Sequence, residues 1–199
     1  MARPRQFDED RVLLLALERF WEFGYEATHT RDLAKAMDLS VASLYNAFGD
    51  KRGLYRRALD FYVERSFVDR VRRFGQLQPR QAIGAFFDEI IARSLDDPRQ
   101  KGCMLVNSAL EMAPHDPEFQ RVVAGVLVQV EHFFKERVEA GQQDGTISAA
   151  QPADDLARML LANLLAIRVL ARARPEKALM EGLVRPTMAW LDHQAEGRH

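Results

Sequence analysis

The sequence predicts an all-α protein of about nine helices, with three short helices at the N-terminus and a larger helical body behind them. Apolar residues recur every three or four positions along most of the chain, as they do on one face of a helix. No stretch shows the alternation of apolar and polar residues that is typical of half-buried strands. Glycine and proline mark the breaks, most clearly at 75–79 and 113–117.

The composition is that of a globular protein from a reducing compartment. Apolar residues make up 47% of the 199 positions and charged residues 29%, which excludes a disordered chain. The single cysteine, Cys103, has no partner for an intramolecular disulfide. No signal peptide is recognisable, and the most apolar run, 159–171, contains Asn163 and Arg168 and is too short to span a bilayer. We therefore expect a cytoplasmic protein without a membrane segment.

The first helix is expected to begin at Asp8 and to end at Gly24. Acids fill its first turn, where the helix dipole favours negative charge, and a glycine suits its C-cap. Residues 1–6 form a basic arm, which is either a frayed terminus or an arm that reaches nucleic-acid phosphates or the minor groove. The apolar stripe of this helix consists of Leu13, Ala16, Leu17, Phe20 and Trp21.

We interpret residues 30–51 as two short helices joined by a tight turn, with Thr30 capping the first and Ser40 the second. The second helix is expected to bury Leu44 and Phe48, and its other side chains are small or neutral and include no acid. Such a face can approach the major groove of DNA closely and reach base edges and phosphates. It consists of Val41, Ala42, Ser43, Tyr45, Asn46 and Ala47.

The sequence around this helix pair carries a family resemblance. Residues 20–28, FWEFGYEAT, precede the pair, and residues 44–48, LYNAF, are followed by Lys51. Together and in this order, within residues 7–58, they resemble the N-terminal DNA-binding domain of the tetracycline-repressor (TetR) family of bacterial transcriptional regulators. Ala47 departs from the pattern, because the family often has a histidine there that offers a polar contact.

The resemblance implies a DNA-binding domain over residues 1–50, a connecting helix that runs to residue 74, and an effector-binding and dimerisation domain over residues 51–199. Tyr45 matches a phosphate-contacting aromatic of the family, and the ammonium group of Lys51 suits the same oxygens. Each residue has a packing or capping role as its alternative. The predicted DNA-binding residues are Thr28, Thr30, Ser40, Val41, Ala42, Ser43, Tyr45, Asn46 and Lys51.

The rest of the chain is predicted to form longer helices. The connecting helix begins near Asp50, and its first half packs on the N-terminal helices through Leu54, Ala58 and Phe61. The last two helices carry more apolar residues than one buried face needs, so we expect them to pair with those of a second subunit in a four-helix bundle, as a homodimer. The later helices are predicted at 81–95, 103–112, 118–141, 156–172 and 175–191.

The resemblance also implies an effector pocket inside the larger domain. Most of the candidate residues are apolar and suit a hydrophobic core equally well. Asn107, Glu111 and Asn163 are polar on otherwise apolar faces, so they either bond one another or orient a ligand. Cys103, beside Lys101, is either a reactive thiol at a helix start or a small buried hydrophobe. The candidates are Phe67, Phe86, Phe87, Ile90, Cys103, Met104, Asn107, Leu110, Glu111, Phe133, Asn163 and Ile167.

No catalytic motif, cofactor site or metal site is expected. His132 and Glu136 share a helix face, but two residues do not make a metal site. His115 and Asp116 lie between prolines and are interpreted as turn residues.

The function implied by these observations is that of a homodimeric transcriptional regulator, most simply a repressor, that binds double-stranded operator DNA and responds to a small-molecule effector. The net charge of −1 argues against non-specific DNA binding, so useful affinity needs two subunits together. The alternative is an all-α small-molecule-binding protein or enzyme whose N-terminal helices form an interaction module, and the lack of a catalytic constellation argues against it.

Overall fold

The computed structural model describes residues 7–192, and within this range the protein is entirely helical and contains no strand. A π-helical turn, Glu64–Val68, follows one α-helical segment directly and leads into the next; if these are counted as one helix, the described residues form nine helices, as the sequence predicts. The basic arm and the end of the chain, residues 1–6 and 193–199, lie outside the described residues. The segments are α1 (Glu9–Phe23), α2 (Thr30–Ala36), α3 (Val41–Phe48), α4 (Lys51–Val63), α5 (Asp69–Phe74), α6 (Pro79–Leu95), α7 (Met104–Glu111), α8 (Pro117–Asp144), α9 (Ala153–Ala173) and α10 (Lys177–Leu191).

Short-range hydrogen bonds start the helices of the N-terminal part. The Asp8 carboxylate accepts the Arg11 backbone N–H at 3.2 Å, and the Asp50 carboxylate accepts the Gly53 N–H at 2.6 Å. Gly24 ends α1 with a φ of 79°, a left-handed conformation that favours glycine. Several boundaries differ from the predicted ones by one to three residues, because hydrogen bonding rather than the apolar pattern sets where a helix ends.

The predicted cap at Thr30 is wrong. The backbone of His29 is extended and occupies the N-cap position of α2, while Thr30 is already the first helical residue. His29 contributes no side-chain cap hydrogen bond, and its carbonyl accepts the N–H groups of Asp32 and Leu33. Residue type alone misplaced this helix start by one position, because the backbone becomes helical at Thr30, one residue earlier than a Thr30 cap requires.

The chain divides into two compact units. Among the described residues, unit 1 holds the chain up to Ser66 together with Cys103–Val123, and unit 2 holds Phe67–Gly102 together with the chain from Ala124 onward. Unit 1 therefore combines α1 to α4 with α7 and the first turns of α8. The π-helical turn and α8 are each continuous across a unit boundary.

The core of unit 1 is organised around Tyr55, which is 2% exposed. Its ring makes edge contacts with the rings of Phe20, Tyr25 and Phe119, with centroids 4.8–5.4 Å apart. Its hydroxyl lies 2.7 Å from the Ser108 hydroxyl, and burial raises the pKa of Tyr55 to about 12. One side chain of α4 thus packs α1, α7 and the start of α8 around a single satisfied hydroxyl.

The core of unit 2 is aromatic and lies where α6 meets α8. Phe87 stacks on Phe134 with ring planes 4° apart, and Phe86 lies 5.5 Å from Phe133 and 5.1 Å from Phe134 between ring centroids. Helices α9 and α10 pack against α6 and against each other. No helix within residues 7–192 combines the length and the apolar character that crossing a membrane requires.

Candidate nucleic-acid interface

The exposed face of α3 is the central feature of the site. Leu44 and Phe48 are 0% and 8% exposed and anchor the helix in unit 1, as the sequence predicts. Tyr45 is 43% exposed, and Ala42 and Asn46 are exposed on either side of it. The helix has the sequence VASLYNAF and contains no acid, so nothing on this face repels a phosphate backbone.

The turn between α2 and α3 sets the start of this helix. Asp38 has a φ of 54°, a left-handed conformation that aspartate tolerates better than most residues. The Ser40 hydroxyl accepts the Ser43 backbone N–H at 3.0 Å and lies 2.8 Å from the Ser43 hydroxyl. The predicted cap at Ser40 is confirmed, and both hydroxyls stay in reach of solvent because Ser40 is exposed and Ser43 half-buried.

Thr28 and Thr30 differ from the α3 residues in exposure. Thr28 is 3% exposed, and its hydroxyl donates to the Gly24 carbonyl at 2.6 Å. That bond joins the end of α1 to the segment before α2, so the hydroxyl has a structural role in this conformation. Thr30 is half-buried at the first position of α2.

Lys51 lies on an aromatic side chain at the start of α4. Its Nζ is 4.3 Å from the centroid of the Tyr25 ring and donates to the Glu26 carbonyl at 3.5 Å. The ammonium group is therefore held near the end of α3 with part of its surface still exposed. Lys51 is the member of the predicted set that carries a positive charge at a defined position.

Glu111 connects α7 to the end of α1. Its Oε2 accepts the Tyr25 backbone N–H at 2.9 Å, across 86 positions of sequence. Gly24 is needed for this approach, because a Cβ there would lie 3.0 Å from the same oxygen. The sequence predicts Glu111 as a pocket residue, and this stays a prediction; in the structure its carboxylate accepts a backbone N–H next to the helix pair.

A charged cluster joins α4 to the start of α8. Arg52 donates to both oxygens of Asp116, at 2.6 and 3.1 Å, and to Glu118 at 2.5 Å. Asp116 also accepts the backbone N–H groups of Glu118 and Phe119. The hydrogen bonds from Arg52 are the main reason that the pKa of Asp116 falls to about 2. The Asp116 carboxylate therefore caps α8 and binds Arg52 at once.

The predicted pocket residues fall into both units and do not all line an interior. Leu110 is 70% exposed. The Asn163 amide donates to the Thr187 hydroxyl, so Asn163 already has a partner. Cys103 is buried at the N-cap of α7, and the Tyr62 hydroxyl donates to its sulfur at 3.4 Å, which favours the interpretation as a packing residue. In unit 1 lie Cys103, Met104, Asn107, Leu110 and Glu111, and in unit 2 lie Phe67, Phe86, Phe87, Ile90, Phe133, Asn163 and Ile167.

Sequence reasoning missed two buried arginines of unit 2, Arg70 and Arg168. One signal for Arg168 is visible in the sequence, because it is the only charged residue of the apolar run 159–171. Arg70 had no such signal, since it lies in the charged sequence DRVRRF, which resembles a solvated helix end.

Two family descriptions match this chain. Residues 12–58 match "Bacterial regulatory proteins, tetR family", and residues 79–185 match "Tetracyclin repressor-like, C-terminal domain". The first match contains α2, α3 and most of α1 and α4, and the second contains the chain from α6 into α10.

Individual relatives and solved structures agree with these matches. An uncharacterized HTH-type transcriptional regulator of Bacillus subtilis (strain 168), YezE, is 32% identical over 96% of this chain and 100% of its own length. The HTH-type transcriptional repressor ComR of Escherichia coli (strain K12) is 31% identical over 56% of this chain and 54% of its own.

The TetR family regulator CifR, solved as a cysteine mutant in complex with a 26-bp double-stranded operator DNA, is 30% identical, with a TM-score of 0.81 over 94% of this chain and 98% of its own. A TetR regulator from Chloroflexus aurantiacus J-10-FL is 25% identical, with a TM-score of 0.80 over 92% and 93% of the two chains. These relatives are transcriptional regulators, which sets aside the alternative of an enzyme. The chain belongs to the TetR family and is a DNA-binding transcriptional regulator.

Proposed function

We propose that this protein is a homodimeric repressor that places α3 of each subunit in the major groove of its operator and leaves the DNA when an effector binds. The observation that carries the proposal is the exposed face of α3, which is free of acids and anchored from below by Leu44 and Phe48. The complex of the relative CifR with operator DNA supports it.

The side chains of this face divide by chemistry. The Tyr45 hydroxyl and the Lys51 ammonium suit phosphate oxygens, which position a protein on DNA without reading its sequence. Asn46 and Ser43 offer an amide and a hydroxyl that suit base edges. The small side chain of Ala42 allows the helix to approach the bases closely in the major groove.

The proposed dimer interface lies on α9 and α10. Val169 on α9 is 50% exposed and Trp190 on α10 is 61% exposed, although both are large apolar side chains. A second copy of the same helix pair would cover both in an isologous four-helix contact. Light scattering should then give twice the 22.8 kDa chain mass, and a monomer at micromolar concentration would contradict the dimer.

The proposed route from effector to DNA uses the polar contacts of unit 1. Glu111 of α7 holds the backbone at Tyr25, and Asp116 at the start of α8 holds Arg52 of α4. Helix α8 is continuous from unit 1 into unit 2. An effector that shifts α7 or α8 would therefore move the residues that support α3. The α3 helices of the two subunits would then no longer match half-sites at a fixed spacing, and affinity for the operator would fall.

Gel-shift titration with the DNA upstream of the protein's own gene tests the DNA-binding part. We expect Tyr45→Ala to weaken binding by about 1–3 kcal/mol without unfolding the protein, because Tyr45 is exposed. Lys51→Ala should weaken binding to all sequences and lower the salt slope by about one per subunit. Arg172→Ala, an exposed arginine of unit 2, is the matched control and should bind as wild type does. If Tyr45→Ala and Lys51→Ala both bind the operator as tightly as wild type, the assignment of α3 as the recognition helix is wrong.

A further inference from the structure

Lys51 is held against the segment that precedes α2. Its Nζ lies 4.3 Å from the centroid of the Tyr25 ring and donates to the Glu26 carbonyl at 3.5 Å. It forms no ion pair with any acid among residues 7–192. The ammonium group is therefore fixed by a ring face and a carbonyl oxygen, and both leave its positive charge unneutralised.

The Tyr25 ring is fixed in turn by the core of unit 1. Its centroid lies 5.1 Å from that of Tyr55 in an edge contact, and 6.1 Å from that of Phe20 with the ring planes 20° apart. Tyr55 and Phe20 are each 2% exposed. The surface on which the Lys51 ammonium rests therefore belongs to the packed core, and it cannot move unless that core repacks.

The Tyr25 backbone is held by α7. Glu111 Oε2 accepts the Tyr25 N–H at 2.9 Å. Gly24 has a φ of 79° and permits this approach, because a Cβ there would lie 3.0 Å from the same oxygen. A shift of α7 therefore reaches the Tyr25 ring through one hydrogen bond, and Lys51 rests on that ring.

A lysine side chain that is ordered in advance favours phosphate binding. Ordering a free lysine on DNA costs rotamer entropy, and part of that cost is avoided when the free protein already holds the side chain. The ammonium has several N–H donors, so it can contact a phosphate oxygen without leaving the ring. A cation–π contact at an exposed site changes an equilibrium by about two- to fivefold. In a dimer the effect should appear once for each subunit.

The geometry points to Tyr25 as a positioning residue for operator binding: its ring holds the Lys51 ammonium in place for a phosphate, and Glu111 of α7 sets the position of that ring. The inference rests on the proposed function, because it names the contact through which α7 reaches a DNA-binding group. Phosphate contacts do not read the base sequence, so the loss of Tyr25 should weaken binding to all DNA sequences alike.

A double-mutant cycle tests whether Tyr25 acts through Lys51. Affinity is measured by fluorescence anisotropy with labelled DNA from upstream of the protein's own gene, at a temperature where circular dichroism shows every variant folded. Tyr25→Leu removes the ring and should weaken binding by about 4–25-fold for a dimer that retains Lys51, but by less than about twofold in the Lys51→Ala background. Tyr25→Phe keeps the ring and should bind within about twofold of wild type.

The outcomes of this cycle separate the inference from the proposed function. Equal weakening by Tyr25→Leu in both backgrounds would mark a general structural role and overturn the inference. Unchanged or tighter binding by Tyr25→Leu would also overturn it, because the ring would then not assist the ammonium in reaching a phosphate. Wild-type affinity in Lys51→Ala would overturn the phosphate contact of the proposed function as well. Weak binding by Lys51→Ala with additive effects of the two substitutions would overturn the role of Tyr25 alone.

NMR spectroscopy gives a readout that a general loss of stability does not move. Protons above the face of an aromatic ring resonate upfield, so the ε-protons of Lys51 should be shifted upfield in wild type and in Tyr25→Phe. In Tyr25→Leu they should return to their ordinary position. The signal is assigned by its loss in Lys51→Ala. An ordinary position in wild type would show that the ring contact is absent in solution and overturn the inference.

Glu111 is tested in the same way. Glu111→Ala releases the Tyr25 N–H and should weaken operator binding when Lys51 is present but not in the Lys51→Ala background. It should also move the Lys51 ε-proton signal toward its ordinary position. Gln120→Ala changes an exposed residue of unit 1 on α8 and should alter neither measurement. Equal weakening by Glu111→Ala in both backgrounds would overturn the assignment of Glu111.

Discussion

Unit 1 and unit 2 each contain a cluster of arginines and carboxylates, and the two clusters differ in charge balance. In unit 1, Arg52 faces two carboxylates, Asp116 and Glu118, and is 40% exposed. In unit 2, the Glu89 carboxylate pairs with the guanidiniums of Arg70, Arg73 and Arg93, and Arg73 pairs with Asp69 as well. The arginine at the centre of the first cluster is partly exposed, whereas Arg70 in the second cluster is 2% exposed and depends on Glu89. Loss of one carboxylate should therefore cost more stability in unit 2 than in unit 1, because it would leave a buried guanidinium without its partner.

The largest expected effect comes from Glu89 of unit 2, the carboxylate that pairs with the buried Arg70. Glu89→Gln leaves Arg70, which is 2% exposed, without a negative partner, and we expect a loss of about 3–5 kcal/mol in the free energy of unfolding. Urea unfolding followed by circular dichroism measures it. Asp88→Asn, an exposed acid next to it on α6, is the control and should stay within about 0.5 kcal/mol of wild type. Similar small losses in both variants would remove the contrast between the units.

A smaller effect is expected at the contact between α7 and α1 in unit 1. Glu111→Ala leaves the Tyr25 backbone N–H without its acceptor, and we expect a loss of about 1–3 kcal/mol in the free energy of unfolding. Glu111→Gln retains an acceptor oxygen of the same reach and should lose less. If Glu111→Gln is as unstable as Glu111→Ala, the negative charge rather than the hydrogen bond matters there.

The smallest effect, and the one that depends on pH, is expected at Asp116. Its folded pKa of about 2 lies below the ordinary value of about 4, so the ionised form stabilises the folded state. That contribution is present above pH 4 and is lost as pH falls from about 4 to about 2. Melting temperatures of wild type and Asp116→Asn should therefore differ at pH 7 and converge toward pH 2. A difference that stays constant over this range would show that charge is not the cause.

The α3 face was predictable from the sequence because its determinants are local. Leu44 and Phe48 are four positions apart and so share one side of a helix, which leaves Tyr45 and Asn46 on the other. Ser40 caps the helix through the N–H of a residue three positions later. The family resemblance rests on the same short stretch, and it placed the DNA-binding region within residues that the family match later covered.

Only the tertiary structure decided which charged and polar groups are buried and which partners they meet. Glu111 finds its partner 86 positions away at Tyr25, and Asp116 meets Arg52 across 64 positions. Arg168 stands out in the sequence as the charge of an apolar run, but its burial follows from the packing of α9. Helical periodicity and capping depend on residues within one or two turns, so the sequence determines them by itself. Ion pairing and desolvation depend on which distant segments the packed core brings together, and no local pattern encodes that.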